Sequence, residues 1–105
     1  MPARYRVILS PQTSADLADI HGHIAADSPQ SAASVIAGLT DAVDSLQHLP
    51  KRHPVYPIRG RPAAEVVRRM PVPPYLIYYR VDDARRVVEV ITIRHGKRRP
   101  PRSFP

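Results

Sequence analysis

The chain has 105 residues, no cysteine and a formal net charge of +7. This length predicts a single domain over residues 1–105 with one modest core. The lack of cysteine excludes disulfides and thiolate metal sites, which is typical of a reducing cytoplasm. No apolar run reaches the roughly 18 residues that a membrane span needs, and the N-terminal residues lack the apolar segment of a secretory signal. We therefore expect a cytoplasmic protein with no membrane partner.

The positive charge is concentrated in the second half of the chain. From Lys51 onward there are 14 basic residues and four acidic ones. A surface of this charge attracts polyanions such as nucleic acid, the ribosome or an acidic protein segment. Because a merely solubilising surface usually mixes both signs, we expect a functional basic face.

The first predicted elements are a strand and a helix. Apolar residues alternate with arginines over Arg4–Leu9, which predicts a short strand. Ser10 then provides a side-chain oxygen that can cap a helix, and Pro11 suits the first turn, where no amide hydrogen is needed. The helix is predicted to run from about Pro11 to Ala26.

A second Ser-Pro pair ends this helix and begins another, predicted over Pro29–Leu49. Apolar residues recur there at three- and four-residue steps, which indicates one buried face. These residues are Ala32, Ile36, Leu39, Val43, Leu46 and Leu49. Because the link between the helices is short, we expect them to be antiparallel and to cover one face of a sheet.

The second half of the chain predicts a loop and three strands. Prolines make Pro50–Pro62 an irregular loop, and Ala63–Met70 follows as a strand that ends in a proline-rich bend over 71–74. Two further strands, Tyr75–Val81 and Val87–Ile93, are joined by an acidic turn. Since both are apolar at nearly every position, we expect them at the centre of the sheet.

This order of elements predicts an α+β fold. An N-terminal strand precedes an antiparallel helical hairpin, which packs on one face of a mostly antiparallel sheet of three to four strands. The opposite face is partly open, and we expect Arg68 or Arg69, Arg80 and Arg94 to project there, because alternate strand residues share a face. Residues 96–105 have no apolar pattern and predict a mobile basic tail.

Several kinds of functional site lack their motifs. The sequence has neither of the glycine-rich phosphate-binding loops GxxxxGK[ST] and GxGxxG. His21 and His23 lie on nearly opposite faces of a helix, and the other histidines have no ligand-like spacing, so we expect no metal and no cofactor. Asp82 and Asp83 are adjacent in a turn, and this position favours a role in forming the turn over a role as paired catalytic carboxylates.

A basic cluster with one nearby histidine remains as a candidate site. Metal-free RNA cleavage needs a base, a cation that holds the phosphorane charge, and an acid. His95 is the candidate base or acid, and Arg68, Arg69 or Arg80 is the candidate cation. The alternative is that His95 caps the last strand and the arginines bind an acidic partner. We favour this alternative because no dedicated acid–base pair is visible.

Three segments of the sequence together carry a family pattern. They are LSPQTSADLADIHGHIAADSPQSAASVIAGLTDAVDSLQHLP, VVRRM and PYLIYYRVDDARRVVEVITIRHGKRR. The pattern combines a Ser-Pro break between helices, a second helix closing on Leu-Pro, a strand with Val-Arg, a Tyr-rich strand ending in Tyr-Arg-Val, and a last strand ending in Arg-His. It resembles the RelE/ParE superfamily of type II toxin–antitoxin toxins, a group associated with growth arrest and plasmid stabilisation.

The resemblance implies one of two mechanisms. RelE-like toxins are ribosome-dependent mRNA endoribonucleases with cations in the loop before the second strand, arginines on the strands and often a C-terminal Tyr. ParE-like toxins lack that set and inhibit DNA gyrase by binding. In this sequence Arg68 or Arg69 fits the strand arginine, and Arg59 and Arg61 stand in for the loop cations.

Two departures from the RelE-like pattern favour the ParE-like mechanism. Leu76 stands where many RelE-like chains have Arg, and Pro100-Pro101 occupy the region of the expected terminal Tyr. The second helix and the RHGKRR ending are also more similar to ParE. The RelE-like mechanism remains the alternative, since a fold does not by itself decide a function.

Either mechanism implies a cognate antitoxin, whose acidic or amphipathic C-terminal segment wraps the toxin in a hetero-oligomer. We expect that segment to lie across the helices and the sheet, with its acidic residues meeting the basic face. The target would be DNA gyrase, or the ribosome and mRNA in the alternative. The candidate contact residues for antitoxin or target are Arg59, Arg61, Arg68, Arg80, Arg94, Lys97, Arg98 and Arg99.

Overall fold

The computed structural model describes residues 4–57, 66–99, 101 and 104, which form a two-helix layer packed on a five-stranded sheet. The helices are α1 (Pro11–Ala25) and α2 (Pro29–Asp44). The strands are β1 (Arg6–Leu9), β2 (Val55–Tyr56), β3 (Val67–Val72), β4 (Tyr75–Asp82) and β5 (Val87–His95). The strand order is β1-β5-β4-β3-β2, with β1 parallel to β5 and the other pairs antiparallel. The predicted α+β fold is confirmed.

Both helices begin where the Ser-Pro pairs predict. The Ser10 side chain accepts a hydrogen bond from the Thr13 amide at 3.0 Å, and Ser28 accepts one from the Ser31 amide at 3.2 Å. Each bond satisfies one of the amides that a helix leaves unpaired in its first turn. Neither helix in the described part of the chain is long and apolar enough to cross a membrane.

The end of the second helix differs from the prediction. α2 stops at Asp44, and a 3₁₀ turn over Ser45–Gln47 follows. Leu49 adopts a left-handed conformation with φ of 46° and leads into a second 3₁₀ turn, Pro50–Arg52. The α conformation is disfavoured immediately before a proline, so the helix cannot continue through Leu49.

The sheet gains a fifth strand because Val55–Tyr56, inside the proline-rich loop, pairs with the start of β3. β3 begins at Val67 and extends through Pro71 to Val72, so the bend is shorter than predicted; residues 58–65 lie outside the described chain. β3 tolerates Pro71 because an amide hydrogen at this position would point away from β4 and toward the β2 side of the strand. β2 pairs only with Val67 and Arg68, so no hydrogen bond is lost at Pro71.

The main core lies between the helices and the sheet. It is formed by buried residues of α2, of the turn after it and of β3, β4 and β5. These are Leu39, Val43, Leu46, Met70, Ile77, Tyr79, Val88, Val90 and Ile93. α1 is also tied to β5 by Asp16, whose Oδ2 accepts hydrogen bonds from the Thr92 hydroxyl at 2.6 Å and the Ile93 amide at 3.0 Å.

The two layers carry opposite charges. Residues 7–50 contain five aspartates and no lysine or arginine, so the helical layer is negative. Of the 16 basic residues, Arg4 and Arg6 precede this stretch and the other 14 follow Pro50. The helices thus carry an acidic surface, in addition to the basic surface predicted for the rest of the chain.

Candidate functional site

The structure separates Arg68 from His95, two of the four candidates for RNA cleavage. Arg68 pairs with Tyr79 on the side of the sheet that faces the helices, whereas Arg69 and Arg80 point to the opposite face. His95 lies at the far end of β5, five residues beyond Val90, the residue that pairs with Tyr79. At about 3.3 Å per strand residue, that separation is about 16 Å. Arg68 and His95 therefore do not meet around one phosphate.

Arg68 holds the turn that follows α2. Its Nη1 donates hydrogen bonds to the carbonyl oxygens of Lys51 at 3.2 Å and His53 at 2.8 Å. The Tyr79 hydroxyl donates to the Pro50 carbonyl at 2.5 Å, and burial raises the pKa of Tyr79. A charged guanidinium bound to two carbonyls stabilises the turn, which gives Arg68 a structural role that the sequence did not indicate.

His53 is a titratable residue that this turn half-buries. Its Nε2 is inaccessible to solvent and has no hydrogen-bond partner within the described residues, and its ring lies edge-on to Tyr79 at 6.5 Å. Burial lowers the pKa of His53 below its usual value, and the charge of Arg52 lowers it further. The folded chain therefore favours neutral His53.

We expect the stability of the chain to fall as the pH drops below about 6.5, the ordinary histidine pKa. In the unfolded chain His53 takes up a proton there, while the folded chain resists it, so protonation favours unfolding. Urea unfolding between pH 8 and pH 5 measures the loss. His53→Gln should flatten the dependence, and His23→Gln, on the exposed surface of α1, should not; equal slopes for all three proteins would contradict this role.

A cleft of about 700 Å³ lies at the end of the sheet that contains the last residues of β4 and the first residues of β5. Its charged lining residues are Lys51, Arg68, Arg80, Asp82, Asp83, Arg85 and Glu89. Asp83 accepts a hydrogen bond from the Tyr5 hydroxyl at 2.7 Å and forms a salt bridge with Lys51 at 2.5 Å. Hydrogen bonds from Lys51 and Tyr5 lower the pKa of Asp83, and the bond to Asp83 raises that of Tyr5. A carboxylate held as an anion in this way is a poor proton acceptor.

The face opposite the helices carries three of the predicted arginines. The guanidinium carbon of Arg69 lies 5.3 Å from the centroid of the Tyr56 ring, a cation–π distance. Arg80 forms a salt bridge with Glu89 at 3.3 Å, and Arg94 donates to the Arg99 carbonyl at 3.3 Å. The predicted direction is thus confirmed for Arg80 and Arg94, and of the two alternatives Arg68 or Arg69 it is Arg69 that lies on this face. Their role as contacts for an antitoxin or target stays a prediction.

The last strand ends in an ordered turn. The His95 ring lies edge-on to Tyr75 with a centroid distance of 5.5 Å, and its Nδ1 accepts a hydrogen bond from the Lys97 amide at 3.1 Å. This arrangement agrees with His95 closing the strand. Lys97, Arg98 and Arg99 follow on the surface, whereas the candidates Arg59 and Arg61 lie outside the described residues.

Pro101 and Phe104 partly cover the open face. The sequence predicts a mobile tail over residues 96–105, but Pro101 and Phe104 are buried on this face. Phe104 joins Val67, Tyr78 and Ile91 in a second core cluster, with Tyr56 and Leu76 at its border. The sequence signal for this contact is the chain's single phenylalanine, which stands in a segment without other large apolar residues.

The described residues contain no group of three or more His, Cys, Asp or Glu that could hold a metal ion. The arrangement instead presents arginines, aromatic rings and a cleft of paired charges. Side chains of this kind bind acidic or aromatic groups of a partner.

Comparison with known proteins agrees with this fold. The family model described as ParE toxin of the type II toxin–antitoxin system, parDE, matches residues 7–100. The relative Toxin RelE2 of Caulobacter vibrioides is 39% identical over 85 residues, which cover 80% of this chain and 86% of that protein.

Two solved structures have the same fold. One is the chromosomal ParDE toxin–antitoxin system from P. aeruginosa, with a TM-score of 0.68 and 17% identity, covering 88% of this chain and 96% of that chain. The other is the toxin–antitoxin complex RelBE2 from Mycobacterium tuberculosis, with a TM-score of 0.57 and 24% identity, covering 89% and 99%. Together with the family match, these findings define a toxin of the type II toxin–antitoxin class. The chain belongs to the ParE toxin family, within the RelE/ParE superfamily.

Proposed function

We propose that this toxin inhibits DNA gyrase by binding to it in the cytoplasm, and that a cognate antitoxin with an acidic segment neutralises it. The observation that carries the proposal is the separation of His95 from Arg68 along the sheet. RNA cleavage requires an acid or base and a cation at the same phosphate, and this pair lies about 16 Å apart at strand spacing.

Electrostatics support the same function. Arg68 is bound to two carbonyl oxygens, and Asp83 is held as an anion by Lys51 and Tyr5. Both groups therefore hold structure together in the free toxin. Arg69 and Arg94, on the open face, are the proposed contacts for acidic groups of the antitoxin.

The RelE-like activity is the second candidate function. It is favoured by the 39% identity to a protein named Toxin RelE2. In that case the ribosome would have to supply the acid–base groups that the described residues do not bring together.

The two functions are separated by exposing purified gyrase and a translating extract to the same toxin preparation. We expect inhibition of supercoiling, with mRNA left intact, and relief of inhibition when antitoxin is added first. His95→Ala should inhibit gyrase within about twofold of the unchanged toxin, because a binding mechanism needs no proton transfer at His95. In cells, DNA breaks and the SOS response should precede any loss of protein synthesis.

Codon-positioned mRNA cleavage on ribosomes, with supercoiling unaffected, would overturn the gyrase proposal. If His95→Ala also lowered that cleavage by orders of magnitude, the RelE-like function would replace it.

A further inference from the structure

Four exposed arginines meet at the edge of the sheet formed by β1, and none of them is a candidate contact for antitoxin or target. Arg4 lies just before β1 and Arg6 begins it, while Arg85 and Arg86 belong to the turn between β4 and β5. Parallel pairing of β1 with β5 brings the two pairs together, since the Arg6 amide donates to the Arg86 carbonyl at 2.9 Å. We call these four residues the edge patch.

The carboxylates near the edge patch do not neutralise it. Asp83 is already held by two other side chains, and Asp82 accepts a hydrogen bond from the Arg85 backbone amide at 3.1 Å. Asp44 lines a hollow beside Arg4 without forming a salt bridge with it. None of the four arginines has a salt bridge to any described residue. Their charges therefore repel one another in the free chain, and a bound anion would remove that repulsion.

The backbone of Arg86 is a second, independent indication of a function. Its φ is 56°, in the left-handed region that glycine or asparagine adopts more easily. The guanidinium carbon lies 5.8 Å from the centroid of the Tyr5 ring, so a cation–π contact holds the charge beside β1. Because strained backbone concentrates at functional positions, a turn that keeps an arginine here points to a use for its side chain.

The chemistry of the edge patch fits phosphate groups. A guanidinium binds phosphate oxygens through two parallel N–H donors. Tyr5 is the ring at this patch, and it lies against Arg86 with its hydroxyl bonded to Asp83. It is therefore not free to stack on a base, as the rings of single-strand binding sites do, or to anchor a protein partner. The patch is suited to the outer backbone of a duplex.

We propose that the edge patch binds the phosphate backbone of duplex DNA. The binding is independent of base sequence, because phosphate contacts position a protein on a duplex and carry no sequence information. The choice of DNA rests on the proposed function, since gyrase acts on duplex DNA. The assay below contains no gyrase, so failure of DNA binding and failure of gyrase inhibition are distinguishable.

The test is the salt dependence of DNA binding by the full-length toxin, measured by fluorescence anisotropy with a labelled duplex of about 20 base pairs between about 50 and 200 mM salt. Each phosphate contact contributes about −0.9 to the slope of log K against log salt. Arg6→Gln should therefore make the slope about 0.9 less negative and weaken binding about eightfold at about 0.1 M salt. Arg6→Lys retains the charge and should retain the slope. An unchanged slope for Arg6→Gln would overturn the proposal.

Arg98→Gln is the matched control for charge, because it removes one exposed arginine in the turn after the far end of β5. It should change the slope by less than about 0.3. Equal changes for Arg98→Gln and Arg6→Gln would show that only net charge matters, and would overturn the edge patch as a site. Tighter binding of duplex RNA, or of a polyglutamate peptide, than of DNA at the same salt would overturn the choice of DNA.

Arg86→Gly separates binding from folding. Glycine favours the observed φ, so the melting temperature should stay within about 2 °C of the unchanged chain or rise. The affinity for the DNA duplex should nevertheless fall about eightfold, as for Arg6→Gln. A clear drop in melting temperature with unchanged DNA affinity would mean that Arg86 serves the turn, and would overturn its assigned role.

Discussion

Replacing Asp16 with Ala is expected to lower the free energy of unfolding by about 2–4 kcal/mol, because two donors on β5 lose a charged acceptor. The Asp16 carboxylate binds the Thr92 hydroxyl at 2.6 Å and the Ile93 amide at 3.0 Å. Both residues are at most 5% exposed, so water cannot readily replace the lost bonds. Urea unfolding at pH 7, followed by circular dichroism, measures the change.

Asp19 provides the matched control for this variant. It lies three residues further along the same helix, carries the same charge and is exposed. Asp19→Ala should change the unfolding free energy by no more than about 0.5 kcal/mol. Equal losses for the two variants would mean that helix charge, and not the bonds to β5, determines the effect.

Leu46→Ala is expected to cost about 2–5 kcal/mol, because its side chain fills the core at the end of the helical layer. Leu46 is 0% exposed and belongs to the main core cluster. Its control is Leu49→Ala, three residues later, where the side chain is 66% exposed and the cost should stay below about 0.5 kcal/mol. Thermal and urea unfolding of the pair measure the difference; similar costs would contradict the burial described here.

The two leucines also show how far helical periodicity can be trusted. In the sequence, Leu46 and Leu49 continue one apolar stripe at a three-residue step. In the structure, α2 ends at Asp44, and the chain turns through a left-handed Leu49 before Pro50. The spacing predicted the buried face correctly up to Leu46, while Pro50 disfavours the right-handed helical conformation at Leu49.

Much of the fold could be predicted because its signals are local. The Ser-Pro caps mark both helix starts, and the β-branched and aromatic runs mark β4 and β5. β2 could not be predicted, because two residues among prolines carry no periodicity and acquire strand geometry only by pairing with β3.

The candidate site was harder to predict than the fold. Arg68 and Arg69 are adjacent, so one must face the helices and the other the open face, but the sequence does not say which. The register with β4 decides it, since Arg68 pairs with Tyr79 and Arg69 with Tyr78. The second core cluster around Phe104 combines residues from β2, β3, β4, β5 and the C-terminal segment, and no local pattern links positions so far apart in the chain.

The separation of aspartates in the helical layer from arginines in the rest of the chain gives the molecule a permanent electric moment. Near a long negatively charged polymer, the torque on that moment turns the helices away from the polymer and the strands toward it before any contact forms. At physiological salt this alignment acts only within about 8 Å, the Debye length. The arginine-bearing side of the sheet therefore faces the polymer when the two first meet, and a larger fraction of collisions leads to binding.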